Sequence, residues 1–140
     1  MTDADREDPG LDGKITGQRV LEPSAEGDRL EQTISGTVEG QGRLAGFRGT
    51  GTATYISVYR PDGTSFGSGY GLLAGDKGQI VRVRGEGGGR PVGGKMVYRA
   101  VHVFGSTAPE LSWLDGAVGV SEYEEDPATG DFTFVIYQWA

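Results

Sequence analysis

Several residue types are missing or rare in this chain of 140 residues, and each absence excludes a class of protein. There is no cysteine, which excludes disulfides and thiolate metal sites, so nothing in the chain requires an oxidising compartment. One histidine and scattered carboxylates do not form a metal-ligand set, and we expect no metal and no other cofactor. The apolar stretches are far too short for a membrane-spanning helix.

Positive charge is also scarce. The 13 basic and 20 acidic residues give a formal net charge of −7. An excess of negative charge favours solubility and disfavours nucleic acid or an anionic membrane surface as a partner. The first residues, MTDADREDPGLDG, are acidic and polar where a signal peptide is basic and then apolar. We therefore expect a soluble, cytoplasmic protein that binds neither nucleic acid nor membrane.

Glycine is abundant. The chain has 26 glycines without a Gly-X-Y period, which indicates many tight turns and close-packed strands. Residues 1–12 are highly charged with almost no apolar side chains, and we expect them to form a disordered acidic tail. Residues 13–140 are long enough for a single domain with a substantial core.

Apolar and polar residues alternate in eight segments, the pattern of half-buried strands. These segments are GKITGQRVL, RLEQTISGTVEG, FRGTGTATYISVYR, TSFGSGYGLL, GQIVRVRGE, GGKMVYRAVHVFG, DGAVGVSEYEE and GDFTFVIYQWA. Most connections are short and rich in proline, aspartate and glycine, as in hairpin turns. The sequence predicts an all-β, eight-stranded antiparallel up-and-down β-barrel of the calycin-like kind, with a β-sandwich as the alternative.

Small residues leave one face of two predicted strands almost bare. Gly67, Gly69 and Gly71 fall at every second position of the fourth strand, and Gly119 and Ser121 share a face of the seventh. If these faces point inward, they create a cavity; if they point outward, they allow another subunit to pack closely. The alternative is that glycine serves only the curvature of the barrel.

The last strand is apolar on both faces. Phe132, Phe134 and Ile136 lie on one face, and Tyr137 and Trp139 lie on the other. One face has to line the barrel interior, and the other needs cover from a second subunit or a packed loop. We therefore expect a homo-oligomer, either a dimer or a trimer.

Three stretches carry a resemblance to a known family. YRPDGTSFGSGYG, GGKMVYRAVHVFGSTAPELSWLDGAVGVSEYEED and the closing YQW resemble small bacterial proteins of the allene oxide cyclase barrel, a fold shared with plant dirigent proteins. The resemblance implies an oligomeric eight-stranded barrel whose apolar lumen shapes a substrate for cyclisation without a cofactor. Allene oxide cyclases are thought to use asparagine and cysteine, and this chain has neither. Only the idea of an acidic residue in an apolar barrel carries over, onto Glu122.

Glu122 is the first catalytic candidate. It shares a strand face with Val118 and Val120, so an inward register for the valines carries Glu122 into the lumen, with Glu124 nearer the rim. A buried carboxyl is suited to acid–base work. Arg99, among valines on the neighbouring strand, could pair with Glu122 inside the barrel. The alternatives are surface carboxylates and a purely structural salt bridge.

His102 and Tyr98 are the other catalytic candidates, since they share a face of the sixth strand and could move a proton and donate to an oxyanion. A lone histidine on an apolar strand face is also a common packing residue. Aromatic and apolar side chains suit a pocket for a small apolar molecule. The residues predicted to bind substrate are Tyr55, Tyr59, Phe66, Tyr70, Arg99, Phe104, Val120 and Trp113, the last in a loop near the barrel mouth.

Two classes of function follow from these observations. The first is a cofactor-independent cyclase or isomerase that shapes an apolar, polyketide-like natural-product intermediate in the lumen for ring formation. The alternative is a non-catalytic barrel, either a structural oligomer or a binder of a passive apolar ligand. Neighbouring biosynthetic genes would favour the first class, and a lumen packed solid with side chains would favour the second.

Overall fold

Eight antiparallel strands close into an up-and-down barrel, which confirms the predicted fold. The computed structural model describes the backbone of residues 10–139 and the side chains of residues 13–139. The strands are β1 Gly10–Ser24, β2 Gly27–Glu39, β3 Arg48–Tyr59, β4 Ser65–Gly75, β5 Ile80–Val92, β6 Lys95–Ser106, β7 Val118–Glu125 and β8 Asp131–Gln138. Each strand pairs with the next, and β1 closes the ring by pairing Gly10–Lys14 with Asp131–Val135 of β8.

The predicted tail reaches too far into the chain. Gly10, Leu11 and Asp12 belong to β1, where they pair with residues 37–39 of β2. The backbone hydrogen bonds of both neighbouring strands order this segment despite its polar sequence. Residues 1–9 lie outside the described residues, and a disordered tail there stays a prediction.

Tight turns join the strands at one end of the barrel, which we call the mouth end: those between β1 and β2, β3 and β4, β5 and β6, and β7 and β8. Gly93 and Gly94 form the whole connection between β5 and β6, with φ of 56° and 82°. Positive φ at both central residues is what a two-residue hairpin turn with the twist of its strands requires. Gly63, with φ of 86°, has the same role in the RPDGT turn.

Two short 3₁₀ segments cover the opposite, closed end. Gly42–Leu44 follows β2, and Pro109–Leu114, here called the plug, follows β6. Leu44, Leu111 and Leu114 are buried, and the Arg43 guanidinium lies 3.9 Å from the centre of the Trp113 ring. The loop that carries Trp113 therefore belongs to the closed end and not to the mouth, because its leucines complete the apolar core there.

Most of the core lies in the closed half of the barrel, while Phe132 lies near the mouth end opposite Glu125. The buried side chains of the core are Ile34, Val38, Leu44, Phe47, Val81, Leu111, Leu114, Phe132, Phe134 and Ile136. None of the helical segments within residues 10–139 has the length and apolar character needed to cross a membrane. The cytoplasmic location stays a prediction.

The inward faces of β4 and β5 contain glycine because rings from neighbouring strands occupy that space. A Cβ atom at Gly69 would overlap Tyr55, and one at Gly85 would overlap His102. One at Gly89 would lie 2.5 Å from Cε1 of Tyr98. The glycine faces do point inward, but aromatic rings have filled most of the space they leave.

Candidate functional site in the barrel lumen

A small cavity remains inside the barrel, in the half nearer the mouth end. Its volume is about 50 Å³ and its wall is mostly apolar. Since one buried water needs about 10–15 Å³ of cavity volume, the cavity accommodates a few waters or a group of a few heavy atoms. Among the residues that line it are Gln32, Ile34, Tyr55, Ser57, Gly67, Gly87, Tyr98, Ala100, His102, Ser121, Tyr123, Glu125 and Phe134.

Glu125 places a carboxylate at the mouth side of this cavity. The residue is only 6% exposed, and its Oε2 accepts a hydrogen bond of 2.9 Å from the Tyr123 hydroxyl. The Tyr123 ring is fixed in turn by stacking on Phe132, with 5.4 Å between ring centres. The carboxylate is therefore shielded from water and oriented by a phenol that is itself held in place.

Other phenols surround this carboxylate. The Ser65 hydroxyl donates to the Tyr98 hydroxyl over 2.9 Å, and the Tyr59 hydroxyl lies 3.5 Å from Oε1 of Gln32. Burial raises the pKa of Tyr59, and its contacts with Tyr98 and the charge of Glu125 raise it further. Burial, followed by the charge and hydrogen bond of Glu125, raises the pKa of Tyr123. Tyr59 and Tyr123 thus stay protonated and act as hydrogen-bond donors.

His102 and Ser121 form a second polar pair, on the side of the cavity nearer the core. They are 2% and 0% exposed, and 2.7 Å separates His102 Nε2 from Ser121 Oγ. The imidazole packs edge-on against Phe134. Burial lowers the pKa of His102 to about 4, so the ring is neutral near pH 7. Its Nδ1 atom is buried and has no hydrogen-bond partner among the described residues.

The prediction that Glu122 faces the lumen is wrong. Its side chain is 51% exposed and lies 3.8 Å from the Arg99 guanidinium, on the outside of the barrel. Glu124 also points outward, 3.7 Å from Lys95. The inward face of β7 contains Gly119 and Ser121 because the lumen is narrow: a Cβ at Gly119 would lie 2.5 Å from Ile136. The valines of β7 are displaced to the outer face by that lack of room.

Four other predicted site residues lie on the outer face and not in the lumen. Arg99 pairs with Glu122 there, and Val120 lies on the same outward face of β7. Phe66 and Tyr70 are 41% and 62% exposed because the inward positions of β4 are its glycines. Trp113, predicted near the mouth, lies on the plug at the closed end.

Five predicted residues do face the lumen. Tyr55, Tyr98 and His102 line the cavity, Tyr59 lies nearer the mouth, and Phe104 packs against the core. Burial raises the pKa of Tyr55 to about 12. Their functional roles stay predictions.

Glu125, Tyr123 and Ser121 were not predicted as site residues. All three lie on the inward face of β7, one register step from the face that was chosen. The sequence does contain a signal for this inward face, the alternating series Gly119, Ser121, Tyr123 and Glu125. Small residues followed by an aromatic residue suit a narrow lumen. Among the described side chains, no group of three or more histidine, aspartate and glutamate residues could hold a metal ion.

Comparisons with known proteins identify the architecture. No protein-family model and no curated protein matches the chain. A protein of unknown function from Clostridium acetobutylicum has a TM-score of 0.80 at 18% identity, covering 96% of this chain and 97% of its own. A β-barrel-like protein from Acinetobacter baumannii has a TM-score of 0.78 at 17% identity, covering 95% and 93%. An enzyme from Penicillium herquei has a TM-score of 0.62 at 14% identity, covering 94% and 90%. These similarities show the fold, a small closed β-barrel.

Proposed function

We propose that this chain is a cofactor-independent cyclase or isomerase that rearranges an apolar, polyketide-like intermediate by proton transfer at the lumen. The proposal rests on the position of Glu125, which lines the cavity and is only 6% exposed. A carboxylate kept from water and held by one phenol is suited to take a proton from a bound molecule. Glu125 replaces Glu122 in this role because Glu122 lies outside the barrel.

The phenols near Glu125 supply the second requirement, a group that stabilises negative charge. Tyr98 lines the cavity, and its hydroxyl accepts a hydrogen bond from Ser65 and contacts the hydroxyl of Tyr59. A donor fixed in an apolar site stabilises a developing oxyanion far more than the same donor in water. Glu125 and Tyr98 therefore provide a base and an oxyanion donor within one cavity.

The proposed reaction needs no electron donor or acceptor. Glu125 takes a proton from a carbon next to a carbonyl group, and the electron pair moves to that oxygen, which Tyr98 stabilises. In isomerisation of a β,γ-unsaturated ketone, Glu125 returns the proton to the γ-carbon, and the double bond moves into conjugation with the carbonyl group. In cyclisation, the carbanion attacks a second carbonyl of the same molecule, and that oxygen takes the proton from Glu125. The resemblance to allene oxide cyclase barrels and the fungal enzyme with the same fold support a lumen that performs chemistry.

A non-catalytic barrel is the second candidate, and the cavity volume favours it. About 50 Å³ admits the reacting end of a substrate but not a whole polyketide-like ring, whereas ligand pockets typically measure about 300–1,000 Å³. Tyr55, Tyr98 and His102 fill the space beside the glycines. In this reading, the polar groups fix the packing of the lumen or bind a passive small ligand.

Exchange of α-protons for deuterium separates the two candidates. Acetone and cyclohexanone serve as probes in D₂O, followed by proton NMR; acetone suits the small cavity, and cyclohexanone tests whether a ring enters it. We expect the protein to accelerate exchange of acetone, Glu125→Gln to abolish the acceleration, and Glu122→Gln, on the outer face of the same strand, to retain it. Exchange at the buffer rate with wild-type protein would support the non-catalytic barrel.

A further inference from the structure

The outer face of β4 to β7 combines exposed apolar side chains with one positive and one negative charge. One cross-strand row contains Tyr70, Arg84, Val103 and Val118, and the next contains Ser68, Glu86, Val101 and Val120. We call these eight residues the β5 face. Tyr70 is 62% exposed, Val101 and Val103 are each 51% exposed, and Val118 is 39% exposed. Contiguous apolar surface of this kind marks an interaction site in a water-soluble domain.

Neither of the two charged side chains on the β5 face has an ion-pair partner among residues 13–139. Some surface charges elsewhere form ion pairs, such as Arg99 with Glu122 and Arg48 with Glu39. Arg84 and Glu86 form no ion pair among the described residues, and the residues directly opposite them in the sheet are Tyr70, Val103, Ser68 and Val101. A positive and a negative charge therefore stand two residues apart on one strand, and neither faces an opposite charge on the neighbouring strands.

The two rows complement each other under two-fold symmetry. A two-fold axis that lies between two facing copies and crosses the strands at the level of Gly85 places residue 84 of one copy over residue 86 of the other. Arg84 then meets Glu86 of the second copy twice. By the same operation, Val103 meets Val101, Val118 meets Val120, and Tyr70 meets Ser68, all across the interface.

The flanking rows match under the same axis. Leu72 faces Phe66 of the second copy, and these residues are 44% and 41% exposed. The long side chain of Arg82 faces Gly88, and Gly105 faces Arg99, so each long side chain meets a residue without one. A groove that extends over the outer face from β2 to β7 leaves room for side chains of the second copy. Facing sheets of this kind pack about 10 Å apart.

We propose that the chain forms a two-fold symmetric dimer through the β5 face, with Arg84 of each copy paired with Glu86 of the other. We assign a second copy to this face because, under the two-fold axis, its opposite charges meet each other and its apolar side chains meet apolar side chains. The dimer does not depend on the proposed reaction, since the β5 face lies on the outside of the barrel.

A charge-swap series tests the dimer. Sedimentation velocity across a dilution series measures its dissociation constant for the wild type, Arg84→Glu, Glu86→Arg and the double variant Arg84→Glu/Glu86→Arg. Each single reversal places like charges together twice, and we expect dissociation to become easier by at least about tenfold. The double variant restores both pairs, and we expect its dissociation constant to return close to that of the wild type.

Arg48→Glu is the matched control, because Arg48 is equally charged and 70% exposed but lies away from the β5 face. It should leave the dimer intact, and circular dichroism should show that every variant is folded. A wild type that is monomeric at 100 µM would overturn the proposal, as that face would then be free or kept for another partner. Single reversals without effect, a double variant that stays monomeric, or equal weakening by Arg48→Glu would also overturn it.

Discussion

At the scale of single residues, the inward positions of β4 and β5 require glycine because aromatic rings of neighbouring strands occupy the space of a side chain. A Cβ at Gly85 would overlap the His102 imidazole. We expect Gly85→Ala to lower the free energy of unfolding by about 1–3 kcal/mol, because the ring and the strand have no room to move apart. Chemical denaturation followed by far-ultraviolet circular dichroism measures the change.

Gly88→Ala on the same strand is the control for this substitution. Gly88 faces outward, and the nearest atom to an added Cβ is the Ser65 carbonyl oxygen at 3.7 Å. Alanine fits there, so stability should stay the same or rise slightly. Equal losses at both positions would show that Gly85 is required for strand geometry and not for the His102 ring.

His102 makes stability depend on pH. Burial lowers its pKa from 6.5 in the unfolded chain to about 4 in the folded one, so between these values the unfolded state binds a proton that the folded state does not. The contribution is fully present above about pH 6.5, and up to about 3 kcal/mol is lost as the pH falls to 4. We expect His102→Gln to reduce the loss of stability between pH 7 and pH 4.5.

Denaturation curves at these two pH values, for wild type and His102→Gln, give the four free energies needed. Carboxylates that titrate in the same range affect both proteins alike, so the comparison isolates the histidine. An equal loss in the two proteins would contradict a buried neutral imidazole.

At the scale of the strand, the register of β7 decides which of its carboxylates faces the lumen. Ser121 is fully buried and Glu122 is half exposed, although they are neighbours in sequence. Because the chain has no cysteine, a single introduced thiol reports on one position. We expect Glu122→Cys to react with a thiol reagent at least about 100-fold faster than Ser121→Cys, whose thiol is reached only when the barrel opens.

Labelling in denaturant is the control for this experiment, since both thiols should then react at the same rate. A faster reaction at position 121 would reverse the assignment of faces and return Glu122 to the lumen. It would also remove Glu125 from the proposed site, because Ser121 and Glu125 share a face of β7.

The outer side of β8 is better covered within the single chain than its apolar pattern predicts. Tyr137 points outward yet is 8% exposed within the single chain, so it needs no second subunit for cover. Trp139 just beyond the strand is 68% exposed. On β4 to β7, by contrast, neighbouring strands place several exposed apolar side chains side by side.

At the scale of the whole molecule, closure links the ends of the barrel into one cooperative unit. The plug packs Leu111 and Leu114 into the same core that the strands enclose. We expect a single unfolding transition in Trp139→Phe, whose fluorescence comes from Trp113 alone. The midpoints by fluorescence and by circular dichroism should coincide. A plug that melts at lower denaturant than the strands would contradict one shared core.

Much of this architecture could be predicted from the sequence, because it depends on local signals. Alternation with a period of two fixed the eight strands, and glycine-rich turns such as the one at Gly93 and Gly94 fixed the hairpins. Eight strands joined by hairpins in series form either a barrel or a sandwich, and the resemblance favoured the barrel. These features need only neighbours along the chain.

Which face of each strand points inward was decided only by the tertiary structure. Val118 and Val120 individually prefer a core, but the narrow lumen has room beside Ile136 only for Gly119, so the register turned Glu122 outward and Glu125 inward. The site at Glu125, Tyr98 and His102 likewise depends on which strands became neighbours. A period of two determines that faces alternate, while the volume enclosed by all eight strands determines which face the barrel can accept.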